Sequence, residues 1–321
     1  MRISIAMATY NGAAFLREQL DSIIAQSRLP DELIVCDDQS TDDTVQILRD
    51  YAGRSPFPIR VEINEKRLGS TKNFEKAIGL CSGDIIALSD QDDVWMPHKL
   101  ETIEGRFERE ADLGLLFSNG FLIDERGNRL QGDMWSRFKF SERLQRLFVD
   151  CRVYDLLLSW SFITGATIAF RSQFQSLILP VPDGVRTFIH DRWIAILIAA
   201  VARVDFIEDK LISYRLHAQQ QLGVGKEWII VRYTTPYLAS SDAEALTRIS
   251  GRLHESQEWP PHPEFVEALL ARQAHVEARE GFSRNPIRRV SKVFSEYLAG
   301  GYTRYPLGFR QALKDAAVGT R

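Results

Sequence analysis

Short apolar runs alternate with amphipathic stretches over the first 124 residues. Runs rich in β-branched residues predict strands, and the segments between them carry apolar residues at helical spacing, as in Ala14–Gln26. The predicted strands are 3–8, 32–37, 59–63, 83–89 and 113–124, and the predicted helices are 14–26, 41–51, 70–80 and 96–110. Because strands and helices alternate strictly, the pattern predicts an α/β fold with a mostly parallel, doubly wound sheet.

The pattern is less regular after the fifth strand. An amphipathic stretch at 141–158 predicts a helix, and 162–171 predicts a strand. A further helix is predicted at 190–202, opening on the carboxylate of Asp191. Residues 204–217 are typical of two short strands around a charged turn.

A soft boundary lies between residues 224 and 263, after which the pattern is helical and increasingly basic. The sequence therefore predicts a large domain at 1–224 and a helical, basic C-terminal extension at 225–321. Within the large domain, we expect the alternating segment 1–124 to form one half and the less regular segment 125–224 the other.

Composition places the chain among ordinary globular proteins. Of its 321 residues, 45% are hydrophobic and 26% are charged, with a net charge of −3. These values exclude disordered and fibrous classes and argue against nucleic acid as a partner. The cysteines Cys36, Cys81 and Cys151 form no CxxC pair, so neither a disulfide framework nor a zinc site is indicated.

The purest apolar run, 193–202, is about half of the roughly 20 residues needed to span a bilayer. The N-terminal residues lack the apolar core and cleavage site of a signal peptide. We therefore expect a soluble, cytoplasmic protein.

Three polar clusters directly follow predicted strands. They are TYNG at 9–12, DDQSTD at 37–42 and SDQDD at 89–93. Ligands of doubly wound sheets collect at the carboxyl ends of the strands. The sequence therefore predicts a binding site where these clusters meet at one edge of the sheet.

The third cluster packs Asp90, Asp92 and Asp93 into four positions, where like charges repel unless a positive charge lies among them. Alternate carboxylates in a tight turn can bind one divalent cation, and hard oxygen ligands suit Mg²⁺ or Mn²⁺. The alternative is capping of the following helix. Capping explains one of the three carboxylates, and we assign it to Asp93.

The second cluster has two interpretations. An aspartate at a strand end can accept a hydrogen bond from a nucleotide base, or it can form an Asx turn that caps a helix. The first strand is followed by ATYNGAA, with one glycine, so the GxGxxG fingerprint of dinucleotide-binding proteins is missing.

Taken together and in order, these segments resemble the family 2 glycosyltransferases, whose nucleotide-binding fold is the glycosyltransferase A type. The chain is most similar to their bacterial rhamnosyltransferase-like branch, although Arg192 stands where that branch usually has an aromatic residue. The matching segments are ATYNG at 8–12, VCDDQSTDDT at 35–44, NEKRLGSTKNFEKAI at 64–78, GDIIALSDQDDVWMPHKL at 83–100, TGATIAFR at 164–171, HDRW at 190–193 and YRLHAQQQLG at 214–223.

The resemblance implies roles for individual residues. Asp191 matches the catalytic base of the family. Asp90 and Asp92 match its DxD element on ribose and metal, with Asp92 the direct metal ligand and His217 an additional metal or diphosphate contact. The residues implied in nucleotide binding are Thr9, Tyr10, Asn11, Asp38, Lys72, Asn73, Asp90 and Gln91.

His190 and Trp193 are candidate contacts to the sugar or the acceptor. Structural alternatives remain open for several of these residues. Asp191 could cap its helix, His217 could be a surface histidine, and Trp193 could simply pack in the core. Trp160 is expected to pack.

The resemblance implies an inverting transferase that uses Mg²⁺ or Mn²⁺. It would move a sugar, rhamnose by the branch resemblance, from a dTDP- or UDP-sugar to a hydroxyl of a cell-surface polysaccharide or lipid-linked oligosaccharide. Residues 1–124 would bind nucleotide and 125–224 would hold the acceptor. The alternatives are a sugar nucleotidyltransferase, which would need a glycine-rich loop after the first strand, and a non-catalytic nucleotide-binding or scaffold protein.

The last 39 residues, 283–321, combine basic and aromatic side chains. Eight Lys or Arg stand against Glu296 and Asp315, a net charge of +6. This composition suits an anionic membrane surface on the cytoplasmic side of a membrane. The alternative is a solvated pair of helices packed on the rest of the protein.

Overall fold

The computed structural model describes residues 1–184, 189–218, 220, 238–282, 285–305 and 308–318, with side chains at all of these except 151–152, 238–241 and 318. The predicted boundary at 224, the end of the YRLHAQQQLG segment, and Arg284 and Arg321 of the basic tail lie outside the described residues. The boundary itself stays a prediction.

The chain forms two compact units. The first comprises 1–139, 162–181 and 190–220, and the second comprises 140–161, 182–189 and 221–321.

The first unit is built on one mixed sheet. The strands are β1 (Ile3–Thr9), β2 (Glu32–Asp37), β3 (Ile59–Ile63), β4 (Ile85–Ser89), β5 (Val94–Trp95), β6 (Leu113–Ile123), β7 (Arg129–Asp133), β8 (Ala169–Arg171) and β9 (Arg203–Arg215). Their order in the sheet is β3-β2-β1-β4-β8-β6-β9-β5, with β7 paired to β6.

Helices accompany this sheet and build the second unit. Those of the first unit are α1 (Leu16–Ile24), α2 (Thr44–Ala52), α3 (Ser70–Leu80), α4 (Lys99–Arg109), α5 (Met134–Arg137), α8 (Gln175–Ile178) and α9 (His190–Val201). Those described in the second unit are α6 (Glu142–Leu147), α7 (Val153–Ser159), α10 (Leu238–Glu255), α11 (Pro263–Glu280), α12 (Pro286–Leu298) and α13 (Gly308–Val318).

The α/β class and the parallel half of the sheet are confirmed. Strands β3, β2, β1 and β4 are mutually parallel, as strict alternation requires. The fifth predicted strand, at 113–124, is β6, and it does not pair directly with β4. The short strand β8 lies between β4 and β6 and runs antiparallel to both.

The segment predicted as two strands around a charged turn is one strand, β9. Its pairing with β6 shifts where Ser118 faces Ile207 but the next residue, Asn119, faces Lys210. The two residues between, Glu208 and Asp209, are therefore an insertion in one strand, and both are exposed. A bulge lets charged residues leave the ladder without ending the strand, which is why the pattern resembled a turn.

Among the described residues, no helix combines the length and apolar character needed to cross a membrane. The apolar run at 193–202 lies almost wholly in α9, whose residues from His190 to Ala200 are all buried.

A glycine sets the distance between α9 and the sheet. A Cβ atom at Gly114 on β6 would lie 2.7 Å from Ile198 Cγ2 and 2.7 Å from Ala202 Cβ. Real carbon atoms do not approach this closely, so the helix can pack here only because Gly114 has no side chain.

We expect Gly114→Ala to destabilise the protein by about 1–3 kcal/mol, because the new methyl group must push α9 away from β6. The matched control is Gly105→Ala inside α4, where the nearest atom to a new Cβ is the flexible Arg109 Nη1 at 3.5 Å. That change should stabilise by about 0.5–1 kcal/mol, since alanine favours helix. Denaturant unfolding measures the change in the free energy of unfolding for each variant. The packing argument would be contradicted if both variants were destabilised or both were stabilised.

Candidate active site

The clusters after β1 and β2 are joined by buried hydrogen bonds. Thr9 Oγ1 donates to Asp37 Oδ2 over 2.8 Å, and Asp37 also accepts the Ser40 backbone N–H. Asp38 accepts backbone N–H groups from Leu68 at 2.6 Å and Gly69 at 2.9 Å. Thr9 and Asp38 are both buried, so in this conformation they hold the loops rather than face a ligand.

The two residues predicted on α3 also engage protein partners. Asn73 Nδ2 donates to the Cys36 carbonyl at 2.7 Å and the Thr9 carbonyl at 3.3 Å, which ties α3 to the ends of β1 and β2. Lys72 Nζ donates to Glu75 Oε2 at 2.7 Å and to the Val181 carbonyl at 2.6 Å. These contacts are structural, and they differ from the direct nucleotide contacts implied by the sequence.

Tyr10 and Gln91 form a two-way clamp between the first and third clusters. The Tyr10 N–H donates to Gln91 Oε1 at 2.8 Å, and Gln91 Nε2 donates to the Tyr10 carbonyl at 3.0 Å. A Cβ at Gly12 would lie 2.3 Å from Gln91 Oε1, so the close approach requires glycine. The Arg67 guanidinium lies 3.8 Å from the centre of the Tyr10 ring.

Asn11 completes the link to the second cluster from a left-handed backbone conformation, with φ of +48°. Its backbone N–H donates to Ser40 Oγ, and its Oδ1 accepts the Thr41 N–H, both at 2.8 Å. All three polar clusters thus meet at the carboxyl ends of β1, β2 and β4, as the sequence predicted.

The acidic cluster is largely buried. Asp92 Oδ2 lies 2.7 Å from His217 Nε2, a pair that brings the end of β9 to the end of β4. Asp93 Oδ1 accepts the Arg215 N–H at 2.9 Å, and Asp93 is fully buried. The assignment of Asp93 as a helix cap was therefore wrong, because α4 begins at Lys99 with His98 in the cap position.

Two buried cations serve this cluster, and the sequence reasoning missed both. Lys99 is fully buried, donates to the Ala166 carbonyl at 2.9 Å, and lies 4.0 Å from the centre of the Trp95 ring. Burial lowers the pKa of Lys99 to about 7, against the opposing effect of the Asp93 and Asp90 carboxylates. Part of the positive charge that the SDQDD pattern demanded therefore comes from a side chain nine positions after Asp90.

Arg215 is the second cation. Its side chain is fully buried, its Nε donates to the Asp92 carbonyl at 2.8 Å, and its Nη2 contacts Glu18 Oε2 at 2.6 Å. Arg215 lies in the YRLH motif at 214–217, within a segment that resembles the family, and this position was the sequence signal that could have predicted its role. Its hydrogen bonds fix the backbone of the acidic turn.

Asp191 interacts with the acidic cluster from a different element. It is buried in the first turn of α9, and its Oδ1 accepts the N–H of Arg192 at 2.6 Å. Burial, with added repulsion from Asp92 and Asp191, raises the pKa of Asp90 to about 7. Asp191, about a hundred positions further along the chain, therefore lies near enough to Asp90 to affect its pKa.

His190 and Trp193, close to Asp191 in α9, are both buried, whereas a contact to a sugar requires an exposed side chain. His190 stacks on Phe74 with ring centres 4.3 Å apart, its Nδ1 has no partner among the described atoms, and burial lowers its pKa. Trp193 is 1% exposed and donates its indole N–H to the Ile178 carbonyl at 2.8 Å. The packing alternative therefore applies to Trp193, as it does to buried Trp160.

The residues fit a hard divalent cation only as a partial site. No group of three or more His, Cys, Asp or Glu residues arranged to hold a metal occurs in the described part of the chain. Asp92, Asp90 and His217 nevertheless offer carboxylate oxygens and an imidazole, with Asp92 Oδ2 and His217 Nε2 2.7 Å apart. Mg²⁺ is typically held by one or two carboxylates together with substrate phosphates, which is the donor set available here.

We expect Lys99→Met to destabilise the protein by on the order of 3 kcal/mol, because it removes one of the two buried cations beside Asp90 and Asp93. The exposed Lys66 supplies the control Lys66→Met, with the same loss of charge and no burial. Denaturant unfolding compares the two. A loss at Lys99 no greater than that at Lys66 would show that the acidic cluster does not depend on this ammonium group.

Parts of this sequence match known proteins. The profile described as "Glycosyl transferase family 2" matches residues 4–156. An uncharacterised glycosyltransferase of Methanocaldococcus jannaschii is 29% identical over 67% of this chain and 70% of its own length. One from Nostoc is 24% identical over 68% of this chain and 65% of its length, so the match spans just under two thirds of it. The dTDP-rhamnosyl transferase RfbG of Shigella flexneri is 37% identical over 30% of this chain and 34% of its length.

Solved structures share the fold over 98% of the chain. TarS 1-349 of S. aureus, in complex with UDP-GlcNAc, has a TM-score of 0.60 at 16% identity over 88% of that structure. The mannosyltransferase PcManGT of Pyrobaculum calidifontis, in complex with GDP-Man and Mn²⁺, has a TM-score of 0.54 at 17% identity over 84%. The sequence matches show that residues 4–156 form a glycosyl transferase family 2 domain, and this domain contains the three polar clusters.

Proposed function

We propose that this protein is an inverting, metal-dependent glycosyltransferase that moves a sugar from a nucleoside-diphosphate donor to an acceptor hydroxyl. One observation carries the proposal: the acidic turn after β4, where Asp92 lies 2.7 Å from His217, meets the TYNG cluster at the same sheet edge through the Tyr10–Gln91 hydrogen bonds. Repulsion from Asp191 of α9 adds to the raised pKa of Asp90. Such a group of carboxylates is costly to bury unless a ligand or cation balances its charge.

The nucleotide would bind at the clamp between the first and third clusters. Tyr10, Asn11, Asp90 and Gln91 are its proposed contacts, because their segments meet there through the Tyr10–Gln91 hydrogen bonds. Thr9, Asp38, Lys72 and Asn73 would support the loops from behind. The family resemblance implies that these four residues contact the nucleotide directly. We assign them a supporting role instead, because their polar atoms already bind protein groups.

Asp92, Asp90 and His217 would hold Mg²⁺ or Mn²⁺ together with the donor diphosphate. Such a cation supplies Lewis-acid stabilisation of the negative charge that develops on the departing diphosphate. The Mn²⁺ in the PcManGT complex supports divalent metal use in this fold. Arg215 holds the Asp92 backbone by its Nε, and so would keep the carboxylate oriented.

Asp191 is the proposed general base. A carboxylate ionised near neutral pH can take the proton from an acceptor hydroxyl as that oxygen attacks the anomeric carbon. A single displacement of this kind inverts the configuration at that carbon. The first turn of α9 also favours a carboxylate electrostatically, so Asp191 stabilises the helix start whether or not it acts as the base.

Only the similarity to known proteins indicates which nucleotide base and which sugar the donor carries. RfbG is described as a dTDP-rhamnosyl transferase, and the TarS complex contains UDP-GlcNAc, which supports a dTDP- or UDP-sugar with rhamnose as one candidate. We propose a saccharide or lipid-linked oligosaccharide of the cell surface as acceptor and the cytoplasm as the site of action. Residues 1–124 would serve the nucleotide, 125–224 the acceptor, and 225–321 would be a helical extension.

The competing reaction is nucleotidyl transfer, which also uses carboxylate-held Mg²⁺. It would release pyrophosphate, whereas glycosyl transfer releases a nucleoside diphosphate. Two assays separate the reactions: a nucleoside triphosphate with a sugar 1-phosphate, scored for pyrophosphate, and a dTDP-, UDP- or GDP-sugar with an acceptor, scored for the nucleoside diphosphate. A third possibility, a protein of this fold that only binds nucleotide, would release neither.

We expect UDP or dTDP to raise the melting temperature only when Mn²⁺ or Mg²⁺ is present, because the diphosphate completes the cation site. At a nucleotide concentration about 100 times its Kd, the added stability should be about 3 kcal/mol. Thermal unfolding with metal alone and nucleotide alone provides the controls. Stabilisation by nucleotide in the presence of EDTA would contradict metal dependence.

We expect Asp191→Asn to lower the transfer rate by about 10²- to 10⁴-fold, the usual contribution of a general base, while nucleotide binding stays nearly unchanged. The exposed Asp209 in the β9 bulge supplies the control Asp209→Asn, which should keep full activity. Diphosphate release and nucleotide titration measure the two effects separately. Unchanged turnover in the Asp191 variant would place the base elsewhere.

A further inference from the structure

The apolar side chains of α12 are exposed in an unusual pattern. Ile287, Val290, Phe294 and Leu298 follow one another at intervals of three or four residues, the spacing that places side chains on one helix face. Their exposed fractions are 82%, 51%, 61% and 70%.

Helix α13 extends this apolar face. Phe309 and Leu313, four residues apart, are 61% and 57% exposed, and the Phe309 ring contacts the Tyr297 ring of α12 with centres 6.2 Å apart. Six of the eleven exposed large apolar side chains in the described part of the chain therefore lie on two short neighbouring helices. We call these six residues, Ile287, Val290, Phe294, Leu298, Phe309 and Leu313, the α12–α13 apolar face.

This face does not serve the packing of the two helices. Their shared core is formed by Val293, Tyr302 and Ala312, and Phe282 and Tyr297 pack around it. The two helices thus have a separate buried side, and the α12–α13 apolar face lies outside it. Contiguous apolar patches of this kind generally mark a binding surface.

The charges beside the face have one sign. Arg288, Lys292 and Arg310 are exposed on the same two helices. The two acids of these helices turn inward: Glu296 Oε1 lies 2.8 Å from His275 Nδ1, and Asp315 Oδ2 accepts hydrogen bonds from Arg279 and Tyr302. Within the described residues of α12 and α13, no exposed carboxylate offsets the cations.

We propose that the α12–α13 apolar face docks on a lipid bilayer that contains anionic lipids. Apolar side chains would enter the boundary between headgroups and acyl chains, while Arg288, Lys292 and Arg310 would contact the negative headgroups. A second copy of the chain fits less well, because a two-fold contact through this face would bring the same three cations together from both copies. The proposal does not depend on the transfer reaction.

The test is flotation of the full chain with vesicles of phosphatidylcholine alone or mixed with an equal amount of phosphatidylglycerol. Wild-type protein should float with the anionic vesicles, bind phosphatidylcholine alone far less, and dissociate as salt is added. Phe294→Ser/Leu298→Ser should bind the anionic vesicles about tenfold or more weakly, because two apolar anchors are lost. The matched control is Val149→Ser/Leu270→Ser, which alters two other exposed apolar residues of the second unit and should bind like wild type.

A charge variant keeps the test valid if the serine substitutions disturb folding. Arg288→Gln/Lys292→Gln should weaken binding to anionic vesicles more than Arg109→Gln/Arg126→Gln, which removes two exposed cations elsewhere. Failure of wild-type protein to float with anionic vesicles overturns the proposal, and so does equal binding by both members of each pair. A dimer in sedimentation velocity that Phe294→Ser/Leu298→Ser makes monomeric, without vesicle binding, would assign the face to a second copy.

Discussion

The active-site edge of the sheet depends on balancing a group of buried carboxylates. Asp90, Asp92 and Asp93 follow β4 within four positions, and burial raises the pKa of Asp90 and of Asp93. Lys99 and Arg215 supply positive charge from α4 and β9, elements that flank the acidic turn. The balance is incomplete, because burial and repulsion from Asp92 and Asp191 still raise the pKa of Asp90 to about 7, and a cation bound there would favour the ionised carboxylate.

The same electrostatic requirement links distant parts of the first unit. Arg215 contacts Glu18 on α1 as well as the Asp92 backbone, and His217 contacts the Asp92 side chain. The close packing of α9 on Gly114 fixes the helix whose first turn carries Asp191. Because a helix on a close-packed sheet has little freedom to shift, the position of Asp191 relative to Asp90 is set by core packing as much as by charge.

In the second unit, a buried polar network decides which charges reach the surface. Arg279 and Tyr302 bind Asp315, and His275 lies beside Glu296, so the acids of α12 and α13 are withdrawn from solvent. Burial and the nearby Arg272 and Arg279 lower the pKa of His275, which keeps it neutral. The cations left outside lie on the same helices as an exposed apolar face.

The sequence by itself determined the α/β class, the four parallel strands and the three polar clusters, because hydrophobic period and strand-end chemistry are local properties of the chain. It could not determine that β8 would insert antiparallel between β4 and β6, since a three-residue strand carries too little pattern. Nor could it show that Thr9 binds the Asp37 carboxylate, that Asp38 and Asn73 bind backbone groups, or that Lys99 is buried beside Asp90 and Asp93. Those outcomes depend on which groups meet across the folded sheet, where burial, not residue type, decides whether a polar side chain serves the structure or faces a ligand.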